Sequence, residues 1–230
     1  MDPVVLTDIP FEIDLPSLME QLRVEAGSSL AGALVHLSSE ARAIARPKAM
    51  YGLAFIDSRG DDHVIIEAIR FSSRVLRINL DPVNRVFPFV VTCGTELAEW
   101  ASSIDDFLYR YWADRIMQLA LSGARQALQD RIRTQFGLGT ISAMNPGSLE
   151  DWPLREQRPL FALLGTAEAD VGVRLTDSMI MTPLKSVSGL WFTTDVDFAS
   201  CQLCPRGDCP SRRAAYDQML YGEKYCTAPT

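Results

Sequence analysis

Apolar and polar positions along the chain divide it into strand-like and helical stretches. Val4 to Ile13 alternates loosely and predicts a short strand or two. Pro16 at a first helical position, followed by Leu18, Met19 and Leu22, predicts a short helix to about Arg23. Gly27-Ser28-Ser29 then opens a clearer helix carrying Leu30, Leu34, Leu37, Ala41 and Ile44, which Pro47 stops. His36 sits beside that stripe, where a surface or boundary histidine is expected. Met50 to Ile56 and His63 to Phe71 are apolar runs joined by Asp57-Ser58-Arg59-Gly60-Asp61-Asp62, which predicts a hairpin. Val86 to Thr92 is β-branched and aromatic, and its Pro88 predicts an edge strand or a strand start. Cys93, just after it, is expected as a small buried hydrophobe.

The longest helical pattern runs from Leu108 through Trp112, Ile116, Leu119, Gly123, Ala127 and Leu128 to about Phe136, with Arg125, Asp130 and Arg133 off the stripe. Tyr109, Tyr111 and Trp112 are expected as core and core-edge residues. Ile141 to Trp152 reads as loop, centred on Asn145-Pro146-Gly147-Ser148. Pro159 to Leu164 predicts a short helix, and Arg174 to Met181 and Ser186 to Thr193 predict strands. Strands and helices do not alternate regularly, and there is no GxGxxG, P-loop or internal repeat. The expected class is α+β, an antiparallel or mixed sheet covered by helices.

Composition removes several function classes. Of 230 residues, 22 are Lys or Arg and 29 are Asp or Glu, a net charge of −7. An acidic chain of this kind argues against non-specific nucleic-acid binding, which needs a basic face. No apolar run approaches the ~20 residues of a membrane span, and Met1-Asp2-Pro3 has no basic leader region, so a cytoplasmic protein off the membrane is expected. With only His36 and His63, a histidine metal site or a Ser–His–Asp triad has little to draw on. Four of the five cysteines fall after residue 200, and that asymmetry is the strongest local chemical signal.

Two segments resemble a known family. Leu175-Thr176-Asp177-Ser178 followed by Met181, Pro183 and Ser186-Val187-Ser188-Gly189-Leu190-Trp191-Phe192 looks like a hallmark of the activation (reactivation) domain of cobalamin-dependent methionine synthase. Asn145-Pro146-Gly147-Ser148 stands where that family has a Pro-Gly-Tyr turn, Pro159 to Leu164 resembles its next helix, and Ala113-Asp114-Arg115 lies in the expected order. The resemblance covers roughly residues 85–193. It implies an activation-domain-like fold over 1–198 with a Cys-rich tail over 199–230. It also implies a reactivation role, in which the domain docks over a corrin, presents S-adenosylmethionine and supports reduction and remethylation of Co(II). The implied partner is a cobalamin-dependent methionine synthase or another corrinoid protein, with flavodoxin or ferredoxin as electron source. The cofactor-facing residues it implies are Pro146, Gly147, Ser148, Ser186, Ser188, Gly189 and Trp191. Three positions depart from the pattern: Ser148 replaces a Tyr, Ala143 an Arg and Gln118 a Glu. Losing two charged partners predicts weak S-adenosylmethionine binding in the usual mode.

The tail reads Cys201-x2-Cys204-x4-Cys209, with Cys226 following after sixteen intervening residues. Four thiolates are the ligand count of an iron–sulfur cluster or of tetrahedral zinc, and Pro205 and Pro210 follow two of them. Arg206, Arg212, Arg213 and Lys224 would offset thiolate charge. A metal held by Cys201, Cys204, Cys209 and Cys226 is therefore expected, with a disulfide or free thiols as alternatives. A cluster there could hand an electron to a docked corrinoid, making the chain an accessory reductase or methyl-transfer module. The competing functions are a non-catalytic corrinoid cap with a zinc tail, and a small-molecule sensor on the same fold.

Overall fold

The structure is a computed structural model describing residues 2–194, 198–209 and 212–226. In chain order its strands and helices are β1 (Val4–Leu6), α1 (Leu15–Leu22), α2 (Ser29–Ile44), β2 (Lys48–Tyr51), β3 (Ala54–Arg59), β4 (His63–Ile66), β5 (Ile69–Ser72), α3 (Arg74–Asn79), β6 (Arg85–Thr92), α4 (Thr95–Ser102), α5 (Phe107–Phe136), β7 (Ile141–Met144), α6 (Gln157–Leu164), α7 (Ala167–Val171), β8 (Arg174–Leu175), β9 (Met181–Thr182) and β10 (Ser186–Thr193). Eight strands form one antiparallel sheet, and β8 and β9 pair separately. The class is α+β, as the element pattern predicts.

β6 organises the sheet. β10 lies along one side of it and carries β7 on its own outer edge. On the other side β6 is shared: Phe89–Thr92 pair with β2, and Arg85–Val86 pair with β3. Pro88 is therefore inside a central strand rather than at an edge. The physical reason is local. Pro88 accepts from Gly52 N at 3.0 Å, and its ring nitrogen turns toward the same side, where the partner changes from β2 to β3. Its missing N–H falls where no regular ladder bond is required. The run from Met50 to Ile56 accordingly divides at Gly52-Leu53 into β2 and β3 rather than forming one hairpin arm.

The two faces of β6 feed two cores. Phe87, Phe89 and Val91 join Trp191, Tyr51 and the buried stripes of α1, α2, α4 and α5. Val86 and Val90 join Met144, Leu190, Phe192 and the residues of α3, α6 and α7. The period-2 alternation of β6 is what lets one strand supply both layers. Asp14, Ser28, Ser73 and Asp106 cap α1, α2, α3 and α5 through their side chains. The buried stripe of α5 is Trp112, Ile116, Ala120, Ala124, Leu128 and Ile132, rotated from the expected stripe, which leaves Leu108 and Gly123 exposed. Leu30 of α2 also faces solvent.

Two further expectations change. Ile141–Met144 is a fully buried strand rather than loop, because β10 offers it a partner. The stretch from Arg174 to Met181 is a small hairpin, turned by Met179 at φ 63°. His36 is exposed and stands 3.7 Å from Glu40, as a surface histidine should. Cys93 is buried, and burial pushes its thiol up to about 12.

The segment after residue 198 packs on the second core. Phe198 and Tyr225 are buried there, with Leu203 and Leu220 beside them. Tyr225 Oη and Lys224 Nζ donate to Oδ1 of buried Asn79 at 2.9 and 3.0 Å. No helix among the described residues is long and apolar enough to cross a membrane.

Candidate functional site

The two motif segments meet in space. β7 ends at Met144, and the chain then folds into a tight turn. Gly147 N donates to Trp152 O at 2.7 Å and Ser148 N to Asn145 O at 3.1 Å. Gly147 has φ 83°, a conformation that favours glycine. Asn145 Nδ2 reaches across to Ser188 O at 2.6 Å, tying the turn to β10. Asn145 was not among the expected site residues, although an Asn before Pro-Gly is the local signal for such a turn.

The expected site residues divide between surface and interior. Gly147 and Ser148 are exposed. Pro146, Ser188, Gly189 and Trp191 are buried, and Ser186 is half-buried. Ser188 Oγ donates to Gln157 Oε1 at 3.0 Å, anchoring α6, while Ser186 Oγ donates to Pro183 O at 2.7 Å. Trp191 stacks on Phe89 with centroids 4.0 Å apart. Gly189 is a close-approach glycine, since a Cβ would run into the Met144 carbonyl oxygen and the Asn145 amide. The backbone of the turn and the side chain of Ser148 are thus what this region offers a ligand.

Beyond the turn lies an open cleft of about 940 Å³, lined among others by Gly147, Ser148, Asp151, Leu154, Cys204 and Tyr221. Asp151 holds its floor. Its carboxylate accepts from the N–H groups of Arg74 at 3.3 Å and Val75 at 3.0 Å and from Ser73 Oγ, fixing the turn to the start of α3. Burial, then the nearby Asp151 charge, pushes the Tyr221 hydroxyl above its ordinary value.

The cysteines do not form the expected ligand set. Among the described residues no three His, Cys, Asp or Glu side chains are gathered so as to hold a metal ion. All four tail cysteines are free thiols, with Cys226 exposed and the others half-buried. The loop is organised around Arg212 instead. Its guanidinium donates to the carbonyls of Cys201 and Cys204 at 3.0 Å each, and to Ala214 O and Arg206 O. A fork of donors thus holds together by their carbonyls a loop that a bound metal was expected to hold by its thiolates. These residues do not fit an iron–sulfur or zinc site in this arrangement, and no electron path is assigned to the tail. Cys201 is nonetheless distinctive. Burial works against its ionisation, but N–H groups of Arg213 and Ala214 and the Arg213 charge outweigh that and lower its pKa.

Besides the exposed Ser148, the two other departures from the family pattern lie on α5 and β7. Gln118 is half-buried on α5 and donates to Ser122 Oγ at 3.4 Å. Ala143 is buried in β7, paired with Trp191 on one side and bridged to Ala199 on the other. The tail therefore covers the outer edge of β7 where the family carries its Arg.

Comparison with solved structures is decisive for the architecture. The crystal structure of the MetH reactivation domain bound to AdoHcy matches with a TM-score of 0.59, at 16% sequence identity, over 86% of this chain and 81% of that one. The fold is that of a methionine synthase reactivation domain. The family of vitamin B12 dependent methionine synthase activation domains matches residues 148–198. In this reactivation fold that match begins at Ser148 in the turn and runs through α6, α7 and the whole of β10. No curated protein sequence matches the chain significantly.

Proposed function

We propose that this chain docks on a corrinoid-carrying protein, most simply a cobalamin-dependent methionine synthase, and supports the return of its Co(II) to the methylated state. The observation that carries this reading is the joining of the Pro146-Gly147-Ser148 turn to β10 through Asn145, on a reactivation fold, with Ser148 and the whole of β10 inside the family match. A corrin face is broad and largely apolar with an amide rim. The exposed turn supplies close backbone approach and a hydroxyl for that rim. Ser186 begins β10, and just before it Leu184 stands 78% exposed, an apolar group free to meet such a face. Lys185 fixes that loop to α5 through a 3.0 Å ion pair with Asp114. The reaction would take one electron into Co(II) from a separate low-potential donor of the flavodoxin or ferredoxin class, giving Co(I), which would then take the methyl group of S-adenosylmethionine and leave S-adenosylhomocysteine.

A second reading has its own observation. Ala143 and Gln118 replace the charged partners of an amino-acid head, and Ala199 covers the edge of β7. That favours a cap that controls the corrinoid domain without presenting S-adenosylmethionine.

The test mixes the chain with a corrinoid protein and follows Co(II) loss by absorbance under a low-potential reductant, with and without S-adenosylmethionine. Reactivation that needs both chain and methyl donor supports the first reading. Complex formation with no methyl-donor dependence supports the cap. Unchanged Co(II) decay and no complex would sink both. Leu184→Asp is the docking variant of choice and should weaken the complex about tenfold. Gly189→Leu is unsuitable, because its side chain would enter backbone rather than solvent.

A further inference from the structure

Beside β7, in a cavity that shares no lining residue with the cleft, three arginines converge. Arg125 and Arg133 sit two turns apart on one face of α5, and Arg213 comes from the tail. With Gln129, Thr140 and Ser142 they line a cavity of about 500 Å³. Among the described residues no carboxylate lines it, and none of the three arginines is in an ion pair with a carboxylate. The Nε atoms of Arg125 and Arg133 are both buried and have no acceptor. Burial, then the like charge of Arg213, pushes Arg125 down to about 10. A buried donor without a partner is costly, and two guanidinium donors at one place call for an acceptor that is not protein.

The geometry points to a phosphate-binding site between α5, β7 and the tail, in which Arg125, Arg133 and Arg213 receive a dianionic oxyanion. Guanidinium forks match the paired oxygens of such a group. The charge balance favours a dianion over a carboxylate. Three positive groups face the cavity, and among the described residues no carboxylate does, so a dianion matches them better than a single carboxylate. The volume exceeds that of inorganic phosphate, leaving room for a small organic body behind the head group. This inference does not rest on the docking reading, since it uses neither the Pro146–Ser148 turn nor the cleft beside it.

The experiment is calorimetry and thermal unfolding of the full chain with inorganic phosphate, with AMP, and with acetate and chloride at equal ionic strength. Phosphate should raise the unfolding midpoint saturably, and acetate and chloride should not. A stronger response to AMP identifies an organic phosphate as the occupant; a stronger response to phosphate identifies the free ion. Arg213→Gln, at an exposed position, should weaken binding at least about tenfold. Arg125→Met should abolish the phosphate response and raise the midpoint of the ligand-free protein, because it removes an unmatched buried charge. Bound dianion should also slow alkylation of Cys201, read residue by residue by mass spectrometry. No saturable phosphate response, equal responses to acetate and phosphate, or a response that survives both substitutions would overturn the assignment.

Discussion

Single residues decide more of this site than their types suggest. Gly189 looks like a contact glycine in the sequence, within a run of small residues. Only the crossing of β7 shows that its missing Cβ makes room for the Met144 carbonyl. Gly189→Ala should therefore cost about 1–3 kcal/mol as an overpacking change, measured by urea unfolding, while Ser148→Ala should stay close to wild type. Cys201 is the reverse case, since one of four similar cysteines is set apart by what surrounds it. Its lowered pKa means that thiolate appears at lower pH than for an ordinary thiol near 9.0. The linked stability grows as pH rises through the folded value and is lost as pH falls through it. Alkylation by iodoacetamide should have its half-maximal pH below that of a free thiol, and Arg213→Ala should move it upward. Equal profiles in both proteins would remove the Arg213 contribution.

Most elements were legible because their signals are local. Pro16, Ser28, Pro47 and Gly137 bracket α1, α2 and α5 in ways the chain itself displays, and β10 spans the expected Ser186–Thr193. The missed elements depend on distant partners. Ile141–Met144 is four residues of modest β propensity and becomes strand only because β10 lies beside it. Pro88 reads as an edge signal unless the change of partner at Gly52 is known. The β4–β5 hairpin was hidden for another reason. Its turn residues are Glu67 at φ 48° and Ala68 at φ 64°, where Asn-Gly would ordinarily announce the bend. Ala68 pays a steric cost there that glycine does not. Ala68→Gly should stabilise the chain by about 0.5 kcal/mol or more in chemical denaturation, offset in part by glycine's larger unfolded-state entropy. A loss of stability would show that the Ala68 methyl makes a contact worth more than its strain.

At the scale of the whole molecule, the fold class could be read from the chain, and the arrangement of the tail could not. Spacing alone made Cys201, Cys204, Cys209 and Cys226 look like a ligand set. Whether a loop folds back to bring sulfurs together is a tertiary matter, and here Arg212 takes the carbonyls at its centre. Arg212→Ala should loosen the tail and lower overall stability by about 2 kcal/mol, with Arg212→Lys recovering little, because an ammonium cannot serve several carbonyls in one plane. Hydrogen exchange localised to residues 200–209 would check it. The anchoring of Tyr225 on Asn79 has a further bearing, on biosynthesis. The first core is complete in sequence by Trp191, but the second needs Phe198 and Tyr225. A chain still emerging from the ribosome can therefore complete the α5 side of the sheet while the second core, already covered in part by α3, α6 and α7, still lacks Phe198 and Tyr225. Its late-arriving segment is the lid that closes this core, so truncations upstream of residue 225 should engage chaperones far longer than the full chain does.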